Sequence, residues 1–353
     1  YLRPPYNNYN ADVLNKGYEI VYLDVDEQYI LFEHSGSSYH LAVSSNTDYT
    51  ITTPDWITYE YVDNLLVLTA SDLGNSQGRH DYVVFTYDGH TKAITVSQVN
   101  PDYAMFVTSG GVTTFDYLEN GRLERQTEFN NPNGEVYIGS NCKTVAAMCG
   151  QGTVILEVLW FDIPSTSLTI GECGLYGSNI ELLVIPKNVS FYSGVLSSAN
   201  IGEFRLNSNI PDGTFTADTR TSYNKTYAYM YGESYILGGF AQVQTFKVGP
   251  DVTYIGKAAF AHKNYTSGYW NTSRYCNKLE FYGKPQLHMQ KYTKKYSKYA
   301  YSIDGVCVDS LYILFGENVI HVPSEYSFSN AKYGIPTQVV DVTVPSYIRE
   351  KFV

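Results

Sequence analysis

Glu157-Val158-Leu159-Trp160-Phe161-Asp162-Ile163-Pro164 runs on to Thr169-Ile170-Gly171-Glu172-Cys173-Gly174-Leu175. The same cadence returns at Val243-Gln244-Thr245-Phe246-Lys247-Val248-Gly249-Pro250, running on to Tyr254-Ile255-Gly256-Lys257-Ala258-Ala259-Phe260. A third copy, Ile180-Glu181-Leu182-Leu183-Val184-Ile185-Pro186, lies between them. Ile163 to Ile185 is 22 positions, Ile180 to Ile201 is 21, and Ile201 to Val243 is 42, twice 21. A period in this range predicts a solenoid, because each unit has one apolar face that only stacked neighbours can bury. Such a fold presents an extended surface rather than an enclosed pocket, which points toward binding or scaffolding before catalysis.

The whole chain is 353 residues, room for two ordinary domains or one domain plus a repeat array. Hydrophobic residues make up 44% and charged residues 17%, a globular rather than a disordered composition. No apolar run reaches the ~18 residues of a membrane span. The sequence starts at Tyr1 with no basic-then-apolar leader, so the expectation is that any signal peptide has been removed. A net charge of −11 argues against nucleic acid as a partner, since phosphate binding needs clustered Lys and Arg. Tyrosine is the outlier, with 35 copies beside 16 Phe and 3 Trp. Two readings stand: tyrosine as a flat ring with a hydroxyl for sugar stacking and polar interfaces, or tyrosine as a favoured strand residue. The five cysteines (Cys142, Cys149, Cys173, Cys276, Cys307) are odd in number and form no CxxC, so no metal site is expected. Cys173 reads as a small buried hydrophobe, and a Cys142–Cys149 bridge stays open.

The first hundred residues are organised differently. Segments 18–23, 29–32, 39–43, 49–52, 65–69, 82–86 and 93–96 are strand-like, with turn signals at 35–38, 44–48, 73–76 and 88–90. About seven short strands at this spacing fit a β-sandwich. Asp88-Gly89 is a hairpin turn in which both residues tolerate positive φ.

Within this segment Ser45-Asn46-Thr47-Asp48-Tyr49-Thr50-Ile51 is followed by Pro54-Asp55-Trp56-Ile57, Gly78-Arg79, Val83-Val84-Phe85 and Ile94-Thr95-Val96-Ser97-Gln98. Over about residues 17–99 this resembles the BACON domain, an immunoglobulin-like module of Bacteroidetes surface and secreted proteins. It departs from that pattern at Tyr49, where the family usually has Trp. Gln98 matches the family's final Gln. Trp56 could serve as a sugar platform, but in the resembled family its position beside Ile57 at a strand start implies core packing.

Asn100-Pro101-Asp102 reads as a linker, and residues 103–155, with strands near 104–107 and 135–138, as a cap for the repeats or a small separate module. The repeats from about 155 to 283 resemble the BspA-type leucine-rich repeat, with Ile255-Gly256-Lys257-Ala258-Ala259-Phe260 its clearest copy and Thr169 to Leu175 a decayed one. Residues 311–315 and 339–345 look like further strand edges, and Ser346-Tyr347-Ile348-Arg349-Glu350-Lys351-Phe352 like a short helix that closes the stack.

Two insertions break the period, at about 216–238 and 262–275. Insertions in repeat arrays project as loops, often on the binding face. Their Tyr229, Tyr231, Tyr269 and Trp270 are the first candidate ligand-binding residues; the alternative is that they fold back over the stack edge. Lys291-Tyr292-Thr293-Lys294-Lys295-Tyr296-Ser297-Lys298-Tyr299 is basic and aromatic within an acidic chain. Lys294 and Tyr296 there suit an acidic glycan, Lys pairing with carboxylate or sulfate and Tyr stacking; a solvated face is the other reading. No HExxH, GxSxG, P-loop or GxGxxG element occurs, and the seven histidines show no HxxxH spacing. Asp24 and Asp26 share a strand face that reads as solvated rather than calcium-binding.

The expectation is therefore a mainly β chain: an immunoglobulin-like β-sandwich over 1–100, a solenoid cap or first irregular repeats over 101–155, and a leucine-rich-repeat solenoid with aromatic insertions over 156–353. The resemblances imply a cell-surface or secreted protein of a Bacteroidetes-like bacterium, held at the membrane only through a removed N-terminal lipid anchor. No cofactor, metal or catalytic residue is expected. The expected role is non-catalytic binding or adhesion to host glycan, mucin or a host or bacterial surface protein. A carbohydrate-active hydrolase, signalled by a paired-carboxylate cleft, and a pure spacer are the alternatives.

Overall fold

The computed structural model describes residues 20–124, 133–147, 149, 155–171, 174–192, 195–196, 199–210, 218–222, 225–229, 242–253, 263–264, 269–270, 275–282, 289–291, 301–303, 306–315, 318–322 and 346–352. They form a mainly β protein. Backbone contacts divide the chain into two compact units: residues 1–30, 37–71 and 81–96, and residues 31–36, 72–80 and 97–353.

The N-terminal strands are β1 (Leu23–Val25), β2 (Tyr29–Phe32), β3 (Ser38–Leu41), β4 (Val43–Ser45), β5 (Tyr49–Thr52), β6 (Ile57–Val62), β7 (Leu65–Ala70), β8 (Gly78–Tyr87) and β9 (His90–Val99). They build sheets in the orders β2-β9-β8-β5 and β3-β7-β6, with β1 paired to β4. Ile30, Leu41, Leu66, Leu68, Val83, Phe85, Ile94 and Val96 are fully buried. Asp88 and Gly89 turn between β8 and β9 at φ of 40° and 75°, as their identity predicts. A second such turn, Asp63-Asn64 at φ 49° and 65°, joins β6 to β7. Asp24 and Asp26 are exposed on one face, and Asp24 pairs with Lys92 at 2.6 Å. Two expectations need correction. Ser44-Ser45 is strand, because β1 pairs there. Trp56 is only half-buried, while its neighbour Ile57 is 3% exposed and fills the core position.

Arg79 and Gln98, which carry part of the family resemblance, meet: the Arg79 Nε donates to the Gln98 Oε1 at 2.7 Å. Gln98 Nε2 in turn donates to the carbonyls of Glu33 and His34. Gln98 thereby ties β9 to the backbone that follows β2, and Arg79 holds the Gln98 amide. Asn100-Pro101-Asp102 is a tight turn rather than a loose linker. Asp102 N donates to the Asn100 side chain at 3.1 Å, and Gly139 packs directly beneath the turn's carbonyls.

After this turn come β10 (Tyr103–Val107), β11 (Thr113–Tyr117), β12 (Arg122–Leu123), β13 (Gly134–Ile138), β14 (Thr144–Val145), β15 (Ile155–Phe161), β16 (Leu168–Ile170), β17 (Asn179–Ile185), β18 (Val189–Phe191) and β19 (Asn200–Leu206). β20 (Asp218–Ser222) and β21 (Lys225–Tyr229) form a hairpin, as do β23 (Lys263–Asn264) and β24 (Tyr269–Trp270) around β22 (Gln242–Val248). β25 (Tyr275–Phe281), β26 (Met289–Lys291), β27 (Tyr301–Ile303), β28 (Val306–Phe315) and β29 (Asn318–Val322) complete the strands.

The long strands β13, β15, β17, β19, β22, β25 and β28 lie parallel in one sheet, and β12, β14, β16 and β18 lie parallel in a second. Each early turn of chain thus gives one strand to each sheet. The antiparallel pair β11-β10 covers the first edge of the long sheet. The register equates Ile180 with Ile201 and Ile201 with Val243, the 21- and 42-residue steps of the sequence. The 22-residue step from Ile163 is not a register step. Trp160 pairs with Val184, and two further residues, Asp162 and Ile163, separate β15 from Pro164. The inward columns, among them Leu159, Leu183, Phe204 and Phe246, share one apolar core. Phe204 and Phe246 stack with ring centres 4.8 Å apart.

The last described segment, Ser346–Phe352, is a 3₁₀ helix. It packs beside β19 instead of closing the end of the stack. The Arg205 Nη1 donates to the Lys351 carbonyl at 3.2 Å, and Phe352, fully buried, meets Tyr282 edge-on and Gly249. Cys142 and Cys149 are buried free thiols, so the bridge between them does not form. The segment Ile255–Phe260 and Cys173 lie outside the described residues.

Candidate binding groove

A strand with strict alternation would place core residues two apart. In the long sheet they fall three apart at one step: Leu156 and Leu159, Ile180 and Leu183, Ile201 and Phe204, Val243 and Phe246. Two successive residues of each strand therefore fall outside this core column at the same level, a repeated bulge-like bend, although Val158 and Leu182 among them are buried. The first residue of each pair is Glu157, Glu181, Gly202 and Gln244. Together with Asn133, Asn179 and Asn200 they line an open groove of about 390 Å³.

The polar part of the groove wall is amide and carboxylate, and Ile155, Leu156, Ile180 and Ile201 supply an apolar part. Asn200 Nδ2 donates to Asn179 Oδ1 at 2.9 Å, so the two amides form a short ladder across β17 and β19. Gly202 is required by close approach. A Cβ there would lie 2.6 Å from the Glu181 carboxyl carbon, so Glu181 lies over β19 where a side chain would otherwise stand. Among the described residues no Lys, Arg or aromatic ring lines the groove. The chemistry suits a hydroxyl-rich ligand, because amides and carboxylates supply paired donors and acceptors.

Two arrangements of polar side chains bear on catalysis. Glu157 and Glu181 stand on neighbouring strands, ~4.8 Å apart by sheet spacing. They rise from one wall of an open groove, whereas glycoside cleavage needs carboxylates flanking the scissile bond. The second is His80 with Ser97 and Glu135. Ser97 Oγ lies 3.0 Å and Glu135 Oε2 3.8 Å from the same ring nitrogen, Nδ1. A nucleophile relay needs its two partners on opposite ring nitrogens, and Ser97 is fully buried. Burial pushes the Glu135 carboxyl up to about 7, against the hydrogen bond from Tyr137 and with the repulsion of Glu157. Burial likewise pushes Asp162 up to about 7. Neither group faces the groove's open side as part of a nucleophile pair. No cluster of three or more metal-ligating side chains occurs among the described residues.

A third polar group is buried beside the groove strands. Glu203 accepts from Arg205 Nε at 2.6 Å and from Lys247 Nζ at 2.8 Å. The Arg205 guanidinium also lies 5.9 Å from the centre of the Trp160 ring. Burial raises the Glu203 carboxyl, but the two cations outweigh it and hold the group near 2. This network links strands: Arg205 is buried, while Glu203 and Lys247 keep partial contact with solvent.

The residues selected from the sequence are placed as follows. Tyr229 ends β21, and Tyr269 and Trp270 form β24, each in a two-stranded hairpin of its own. Tyr231, Lys294 and Tyr296 lie outside the described residues. The groove residues were missed, because a Glu or Asn in a repeat reads as an ordinary solvent-facing position. The signal that marks them is the three-residue gap between core positions.

No known protein family matches the chain, and no curated protein or solved structure does either. No helix among the described residues is long and apolar enough to cross a membrane.

Proposed function

We propose that the chain is a non-catalytic surface-binding protein, an immunoglobulin-like sandwich followed by a leucine-rich-repeat solenoid, that recognises host glycan or mucin. The observation that carries the reading is the amide-and-carboxylate groove formed at one level of four successive parallel strands. It is open, it repeats from strand to strand, and its two carboxylates, Glu157 and Glu181, rise from one wall. The resemblances of the N-terminal segment and of the repeats support a location at the cell surface or outside the cell. The tyrosine-bearing insertions would extend the groove's surface, and a protein partner is the alternative ligand.

The test is a glycan and mucin array with the intact chain, an Asn179→Ala/Asn200→Ala variant, and a variant with Tyr229, Tyr231, Tyr269 and Trp270 changed to Ala. Loss of signal in the amide variant, roughly tenfold or more for two removed hydrogen bonds, supports the groove. Loss confined to the aromatic variant moves the site to the insertions. An intact chain that binds no glycan or mucin removes the reading.

A further inference from the structure

We propose that the free edge of β6 is a docking site for an extended, basic segment of a partner protein, which adds to the sheet as a further strand. The inference is independent of the glycan reading.

β6 ends the sheet β3-β7-β6, and residues 58–64 are all exposed. Its register with β7 runs without a break from Ile57–Ala70 to Val62–Leu65. The outward groups follow from the ladder. Ala70 N donates to Ser37 on the β3 side, and Ser71 N donates to Trp56 on the β6 side. Alternation then gives Thr58, Glu60 and Val62 to the β7 ladder. The backbone N–H and C=O of Tyr59 and Tyr61 face the open edge. An edge of this kind is normally protected by Lys, Pro or a bulge. β6 (Ile-Thr-Tyr-Glu-Tyr-Val) has none of these.

The side chains define the partner. Tyr59 is 45% and Tyr61 53% exposed, large for aromatic residues in a folded strand. The Tyr61 hydroxyl lies 2.5 Å from that of Tyr49 on β5, which anchors the tip of a side chain that is otherwise half exposed. By strand alternation Glu60 projects from the opposite face to Tyr59 and Tyr61, and Asp63 follows in the turn; from Leu41 to Gly78 the sequence has five carboxylates (Asp48, Asp55, Glu60, Asp63, Asp72) and no Lys, Arg or His. Exposed ring faces set among carboxylates attract ammonium and guanidinium groups. The same field opposes a second copy of this chain, whose own edge carries the same charges. Backbone pairing to Tyr59 and Tyr61 gives the affinity, and Lys or Arg over the rings and beside Glu60 gives the selectivity.

The experiment titrates the full chain with an end-blocked eight-residue peptide in which Lys alternates with Thr and Val, and with its Glu-for-Lys counterpart. Fluorescence anisotropy reads binding at low and high salt. The expected result is saturable binding of the Lys peptide only, weakened by salt. Glu60→Lys should reduce it about tenfold or more, by charge reversal at the interface. Tyr59→Thr/Tyr61→Thr keeps strand propensity and should reduce it as well, with the melting temperature of both variants unchanged. No binding of the Lys peptide, equal binding of the Glu peptide, or binding insensitive to both variants overturns the proposal. So does a concentration-dependent dimer abolished by Glu60→Lys, which would make a second copy the occupant. A glycan lost in the tyrosine variant but retained by Glu60→Lys overturns it too.

Discussion

Glu203→Gln should destabilise the repeat unit at neutral pH and do so progressively less as the solution is acidified. The Glu203 carboxylate is the shared acceptor of Arg205 and Lys247, at 2.6 and 2.8 Å. Its folded pKa is about 2 against an ordinary value of 4.5. A shift of roughly 2.5 units at 1.36 kcal/mol each corresponds to about 3 kcal/mol. The side chain is 27% exposed, so solvent screening lowers this to roughly 2 kcal/mol. Gln keeps a hydrogen-bond acceptor but loses the charge, and Arg205, 5% exposed in its side chain, is left poorly compensated. The sign follows from linkage. A depressed carboxylate stabilises the fold above its unfolded pKa, and the contribution is lost as pH falls from about 4.5 toward 2. Trp160, fully buried under Arg205, is the reporter. Urea unfolding by tryptophan fluorescence in a Trp56→Phe/Trp270→Phe background gives the difference between parent and variant at pH 7 and pH 3. A loss below about 0.5 kcal/mol at pH 7, or a difference that does not narrow at pH 3, would show that the network contributes no net charge stabilisation.

Glu135→Gln should act in the opposite direction. The carboxyl is raised from 4.5 to about 7, so the parent loses stability as pH rises through that window, whereas the variant does not. Tyr137 can still donate to the Gln carbonyl oxygen; thermal melts at pH 5 and pH 8 with parallel slopes for both proteins would refute this. Burial pushes the Cys142 thiol up to about 12, so native protein at pH 8 should leave it unalkylated while urea-unfolded protein reacts fully, as read by peptide mass mapping. Gly139→Ala would set a Cβ 2.3 Å from the Asn100 carbonyl oxygen and 2.6 Å from that of Pro101, backbone atoms that cannot swing away. A cost of about 3 kcal/mol by denaturation is expected, and a cost under 1 kcal/mol would mean that the turn is loose.

The sequence made the stacking legible where residues share a column. Ile180, Ile201 and Val243 occupy one inward column, so their 21- and 42-residue spacings are spacings of the structure itself. Ile163 and Ile185 share only a following proline, and that dipeptide is not tied to the ladder, so the 22-residue step misled. Asp88-Gly89 was readable because both residues suit positive φ, and Asp63-Asn64 could have been read the same way. β6 was passed over although Ile57, Tyr59 and Tyr61 alternate with Thr58, Glu60 and Val62; the sequence could not show that only Ile57 of the six is buried. The short helix at 346–352 was legible as a helix, but its place beside Arg205 was not, since that depends on a contact 146 residues apart.

The groove exposes the limit most clearly. Its columns obey two different demands at one level of the coil. Leu156, Ile180, Ile201 and Val243 must all be apolar, because each fills the same core slot. The next residues, Glu157, Glu181, Gly202 and Gln244, are free of that demand, and their chemistry runs from two carboxylates to bare backbone to an amide. A surface kept only for solubility needs no such gap as Gly202, where Glu181 lies over the neighbouring strand. A ligand crossing these strands would meet two charges, then an open backbone step, then an amide, and could bind in one direction only. Glycine at 202 is therefore the position where groove shape and groove chemistry are set together. Gly202→Ala should alter the groove by displacing Glu181 while leaving the core columns intact.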